Sequence, residues 1–82
     1  MNLQTYPNPT HSEFNVKLES SNAVDPIALI VYSVDGKTVE VRNKLKAGQV
    51  VQLGALYRPG VYLIEMVQGT EHRQIKVVKI PD

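Results

Sequence analysis

"VYSVDGKTVEV", residues 31–41, is the stretch on which the fold reading turns. Apolar residues on both sides of Asp35-Gly36 recur with period two, the spacing of a pleated strand and not of a helix. Asp-Gly between alternating runs is a strong hairpin signal. A type I′ turn needs positive φ at its central positions, and Gly accepts that at little steric cost. The stretch predicts two antiparallel strands, "IALIVYSV" at 27–34 and "TVEVR" at 38–42. The first is apolar on both faces, as a doubly covered central strand would be. The second places Val39 and Val41 inward.

The same punctuation extends along the chain. "FNVKL" (14–18) sets Phe14, Val16 and Leu18 on one face and Asn15 and Lys17 on the other. "QVVQL" (49–53), "VYLIEMV" (61–67) and "RQIKVVKI" (73–80) add three more runs rich in β-branched residues. Gly69-Thr70 predicts a type II′ hairpin turn, and "KAGQ" (46–49) and "RPG" (58–60) mark further reversals. Pro59 cannot donate to a ladder and limits backward extension of the strand that follows. No segment sustains a helical period. The reading is all-β: a small immunoglobulin-like sandwich of about seven short antiparallel strands, with a small closed barrel as the alternative.

Composition bounds the rest. Eighty-two residues make a single domain, 1–82, with a small core and a thin stability margin. The abrupt start reads as a domain excised from a larger secreted protein. The absence of Cys excludes disulfides, zinc ribbons and thiol nucleophiles. Nine Lys and Arg against eight Asp and Glu give no electrostatic case for nucleic acid. No apolar run approaches the ~18 residues of a membrane span, and no signal peptide is visible.

Chemistry is poorly supplied. His11 and His72 lie far apart in sequence, without a second ligand at metal-binding spacing. Ser12, Ser20, Ser21 and Ser33 sit outside any nucleophile elbow, and Asp35 beside Gly36 reads as a turn residue. The glycines fall at turns and strand edges, so no phosphate loop is expected. "NAVD" lacks the dense carboxylates of a calcium loop. Tyr6, Tyr32, Tyr57, Tyr62 and Phe14 are few for a sugar-binding platform, and Tyr32 and Tyr62 are expected to bury their rings. No catalytic residue, cofactor or metal is predicted.

Two features remain. Arg73, Lys76 and Lys79 interleave with Ile75, Val77, Val78 and Ile80, a charged edge that either blocks unwanted pairing or invites a partner strand. Near the start, "TYPNPT" (5–10) holds Pro7 and Pro9. Each fixes φ and pushes the residue before it toward extended geometry, so Asn8 approaches the first core strand as a stiff segment.

The ordered set of these motifs resembles the C-terminal sorting domain of the type IX (Por) secretion system of Bacteroidetes. The resemblance rests on Tyr6, Pro7, Asn8 and Pro9, followed by the Phe14–Val16 strand, and on Asp35-Gly36 within "VYSVDGKTV". It continues through Gly60, Tyr62 and Ile64 in "RPGVYLI", and Lys76, Val77, Val78 and Lys79 in the final strand. It spans residues 3–80, with "IPD" at the end as a departure. It implies a non-catalytic signal that carries a cargo through the periplasm to an outer-membrane translocon, with shuttle proteins as further partners. A sortase-like peptidase would then remove it, leaving the cargo released or attached to lipopolysaccharide at the surface. The last two strands are the expected recognition surface, and an edge-strand dimer is a further expectation. The rival reading is an accessory immunoglobulin-like or carbohydrate-binding module of a secreted enzyme.

Overall fold

A computed structural model describes residues 1–81; Asp82, the end of the Ile-Pro-Asp tail, lies outside the described residues. Seven strands follow in order: β1 (Asn2–Tyr6), β2 (Phe14–Glu19), β3 (Ile27–Ser33), β4 (Thr38–Leu45), β5 (Val50–Leu53), β6 (Gly60–Gln68) and β7 (Glu71–Lys79). They form two antiparallel sheets, β1-β2-β5 and β4-β3-β6-β7. The ladders stay within each sheet, so the molecule is a sandwich and not a closed barrel.

Alternation explains the core. Phe14, Val16 and Leu18 of β2 pack with Ile27, Leu29 and Val31 of β3 and with Tyr62, Ile64 and Met66 of β6, all of them buried. Leu3, Leu45, Val51, Leu53 and Val77 complete the cluster. β1 is a strand that periodicity does not announce, because "NLQTY" sends one apolar residue, Leu3, into the core. Its pairing with β2, from Asn2↔Glu19 to Tyr6↔Asn15, makes it a strand.

Several expectations need correction. Val39 and Val41 point outward and are 41% and 48% exposed. Val41 lies opposite Ile30, whereas Glu40 lies opposite the buried Val31, so Glu40 takes the inner position. Register shifts on both sides of the β3–β4 ladder accompany that placement. β3 is central but covered on one face: Ala28, Ile30 and Tyr32 stand half-buried on an outer face with no element over it among the described residues. Tyr32 is therefore not a core ring, although its hydroxyl does donate to Glu65 Oε1 at 3.2 Å.

The hairpin at Asp35-Gly36 forms, with different geometry. Gly36 has φ of 87° while Asp35 keeps a negative φ, which rules out type I′. Gly36 N–H donates to Ser33 C=O at 2.9 Å and Ser33 N–H to Lys37 C=O at 2.8 Å. This is a three-residue loop closed by a left-handed Gly. At the other hairpin, Gly69 alone takes positive φ between the paired Gln68 and Glu71, as a type II′ turn requires.

Candidate recognition surface

The sheet edge at β7 is where the two ends of the chain meet. β6 and β7 pair over nine consecutive residues without a shift, from Gln68↔Glu71 to Gly60↔Lys79. A two-residue turn makes Gln68 and Glu71 a hydrogen-bonded pair, so the odd-numbered residues of β7 bond to β6. The even-numbered ones, from His72 to Ile80, turn their backbone groups to the outer edge.

Residues 6–10 close the far half of that edge. Pro7 and Pro9 lack N–H groups, so the segment cannot extend the β1 ladder; Tyr6-Pro7 and Asn8-Pro9 are both cis. The Asn8 carboxamide substitutes for a strand. Its Nδ2 donates to Lys76 C=O at 3.1 Å, and its Oδ1 accepts from Val78 N–H at 3.0 Å. Thr10 continues the seam as a parallel bridge to Lys79. Its N–H donates to Val78 C=O at 3.0 Å, and its C=O accepts from Ile80 N–H at 2.8 Å. The buried Thr10 hydroxyl turns back, donating to Glu13 C=O at 3.2 Å and accepting from Ser12 N–H. Thr10 is a member of this seam that motif reading passed over; the signal for it is the Asx/Ser/Thr habit of bonding local backbone just after a proline turn.

Lys79 departs from the picture of a charged outer edge. It is 6% exposed, and its ammonium donates to the carbonyls of Ser12 and Gly54, with Ala55 C=O at 3.4 Å. It shares the inward parity of Val77, which is fully buried. The cation therefore ties the end of β7 to the loop before β2 and to the loop after β5. Lys76, on the other parity, is exposed and makes no ion pair among the described residues.

The remaining motif residues divide by depth. Ile64 is fully buried, and Tyr62 is 8% exposed, with its hydroxyl donating to Arg58 C=O at 2.6 Å. Gly60 opens β6 opposite Lys79, and Val78 is half-buried beside it. Tyr6 is 48% exposed, and Pro7, Asn8 and Pro9 are exposed around it. The structure thus joins residues 6–9 to 76–79. Asp35 and Gly36 stay at the same end of the sheet but on the β4 side, two strands from β7.

Electrostatics add little chemistry. The Ser33 hydroxyl holds the exposed Asp35 carboxyl below its ordinary range, with Lys37 at 3.9 Å helping. Burial raises Glu40, but hydrogen bonds from Tyr57 (2.7 Å) and Arg42 (2.5 Å) outweigh it and the net direction is down. Burial, then the Glu40 carboxylate, pushes the Tyr57 hydroxyl well above the usual phenol range. The Tyr57 ring lies 5.0 Å from that of Tyr62, so this pair seals the sandwich between β4 and the loop before β6. His72 Nδ1 sits 3.3 Å from Glu65 Oε2 on the solvent side. No group of three or more His, Cys, Asp or Glu converges among the described residues.

A search of curated proteins returned no match. Comparison with known families matched residues 4–80 to the secretion system C-terminal sorting domain, a span that runs from β1 through the last residue of the β7 seam. With nearly every strand inside the match, the chain belongs to this family, whose members are the C-terminal sorting signals of type IX secretion.

Proposed function

We propose that residues 1–82 are the C-terminal unit of a larger secreted protein and act as a removable address. The unit carries its cargo across the periplasm and is met there by shuttle proteins. It is delivered to the outer-membrane translocon and then cut away by a sortase-like peptidase. As a sorting signal the domain is not itself catalytic, and its interaction is with the type IX machinery in general. Its cargo is destined for the cell surface or the extracellular space.

The observation that carries this reading is the family match over residues 4–80, which takes in β2 to β7 whole and most of β1. The distribution of the motif residues supports a recognition role. Tyr6, Pro7, Asn8, Pro9, Asp35, Gly36 and Lys76 stand where another protein can touch them. Tyr62, Ile64, Val77 and Lys79 are buried and act by holding that surface in shape. Deleting 73–82 would remove core residues along with surface ones, so it cannot separate folding from recognition.

The test is a periplasmic reporter fused upstream of the domain in a host with type IX secretion. Reporter at the surface or in the medium, dependent on the domain and lost when the translocon is deleted, is the expected result. Retention of the fusion in the periplasm of a secretion-competent host would sink the reading.

A further inference from the structure

Resting on the sorting reading above, we infer that the machinery docks an extended, carboxylate-bearing segment on the outer edge of β7, in the gap that the residue 6–10 seam leaves open. On that edge His72 C=O is covered by the Arg73 guanidinium at 2.8 Å, and Lys76 C=O is covered by Asn8. Between them, Gln74 N–H and C=O and Lys76 N–H have no partner among the described residues. One residue of an incoming strand can exchange both backbone bonds with Gln74. The next outward carbonyl then reaches Lys76 N–H, and Asn8 blocks further advance. The seam therefore acts as a stop that fixes the register of the added strand.

The other edges are less suited. β4 carries register shifts and Lys44 in left-handed geometry (φ 58°), and β5 is four residues long. β1 is five residues long, whereas β7 is regular over nine.

Charge selects the partner. The gap is flanked by Arg73 and Lys76, both exposed and neither ion-paired among the described residues. The facing acids are Glu65, already bonded to Tyr32 and His72, and Glu71, which sits at the hairpin turn. An acidic segment gains two cations here that a basic one would have to approach against repulsion.

Three variants of the reporter fusion test this. Lys76→Glu reverses the charge at the gap. Gln74→Pro deletes an outward N–H and leaves the β6 ladder intact, since Pro is tolerated at a free edge. Lys17→Glu, on the exposed face of β2 in the other sheet, makes the same charge change elsewhere. Lys76→Glu and Gln74→Pro should each reduce export by about tenfold or more while the purified domains melt as the parent does, and Lys17→Glu should export normally. Normal export of either gap variant overturns the inference, as does an equal loss with Lys17→Glu. If the parent fusion itself is not exported, the sorting reading has failed instead. Sedimentation of the parent should show a monomer; a dimer that Gln74→Pro dissolves would assign the gap to self-pairing and overturn the inference.

Discussion

Replacing Lys79 by Met keeps an unbranched stem in the interior and removes the ammonium. Gly54 C=O would then lose its donor in a buried position, and Ser12 C=O in a part-buried one that water can partly reach. An orphaned buried acceptor costs about 1–3 kcal/mol, so Gly54 gives about that and Ser12 less, together about 2–4 kcal/mol, with the longer Ala55 contact adding little. Against this, the variant no longer buries a charge, and that relief offsets part of the loss. We expect a net destabilisation of about 2–3 kcal/mol. A chain of this size has roughly 4–12 kcal/mol in total, so the loss is a large share of it. At about 4–8 °C per kcal/mol, the midpoint should fall by roughly 8–24 °C. Urea and thermal unfolding of the purified domain, followed by far-ultraviolet circular dichroism, measure both quantities. The urea slope should stay near that of the parent, because the surface exposed on unfolding hardly changes. A loss below about 1 kcal/mol, or a gain, would refute the reasoning: it would mean that burying the ammonium costs as much as its bonds return. In the export assay this variant should fail at temperatures where it is unfolded and recover where it is folded, unlike Lys76→Glu.

Three further outcomes follow from the packing. Gly54→Ala should destabilise by about 2–4 kcal/mol, because its φ of 94° strains an L-residue and the new Cβ would lie 2.9 Å from Phe14 Cδ2; chemical denaturation reads this directly. Gln68→Leu should free the loop at 20–26, since the buried amide accepts from Ser20 Oγ at 2.5 Å and donates to Asn22 C=O and Asp25 C=O at 2.8 and 2.9 Å. Faster amide hydrogen exchange at Val24 and Asp25, with exchange at Ile64 slowed or accelerated only in step with global stability, is the expected signature. Stability should also fall at the acid and alkaline ends of the pH range. Glu40, lowered in the fold, stabilises above its ordinary 4.5, and that contribution is lost as pH falls through the folded value. Tyr57, raised in the fold, contributes fully below its ordinary 10.0, and that contribution declines as pH rises above it. Tyr57→Phe should flatten the alkaline limb in urea titrations across pH.

The strands were legible where one face carries the core unaided. Phe14, Val16 and Leu18 show this, since three large apolar residues at period two leave one choice of face. β1 was not legible, because Leu3 alone points inward and its strand geometry comes from pairing with β2. Val39 and Val41 read inward because alternation identifies two faces without saying which is covered. That choice lies in the β3–β4 register, where Glu40 opposite Val31 takes the inner place and finds Tyr57. The Asp35-Gly36 hairpin was located correctly, but its turn type depends on how far the ladder closes before the loop, which the dipeptide does not encode.

Lys79 carries the broader lesson, because the signal that places it was present in the sequence. Ile75, Val77 and Lys79 share parity in one strand, and Val77 is core, so the same face should carry Lys79 inward. What defeats that inference is the prior that Lys is solvated. The prior gives way here because three backbone carbonyls from two loops converge on one point, and no sequence rule brings Ser12, Gly54 and Ala55 together. The parity also separates the roles of the two lysines in "KVVK": Lys76 faces out beside Asn8, and Lys79 faces in beneath Thr10. The four-residue motif therefore holds one residue exposed at the outer edge and one buried residue that ties β7 to two loops. Mutating the motif as a block would merge the two effects, whereas Lys76→Glu and Lys79→Met separate them by whether the melting temperature moves.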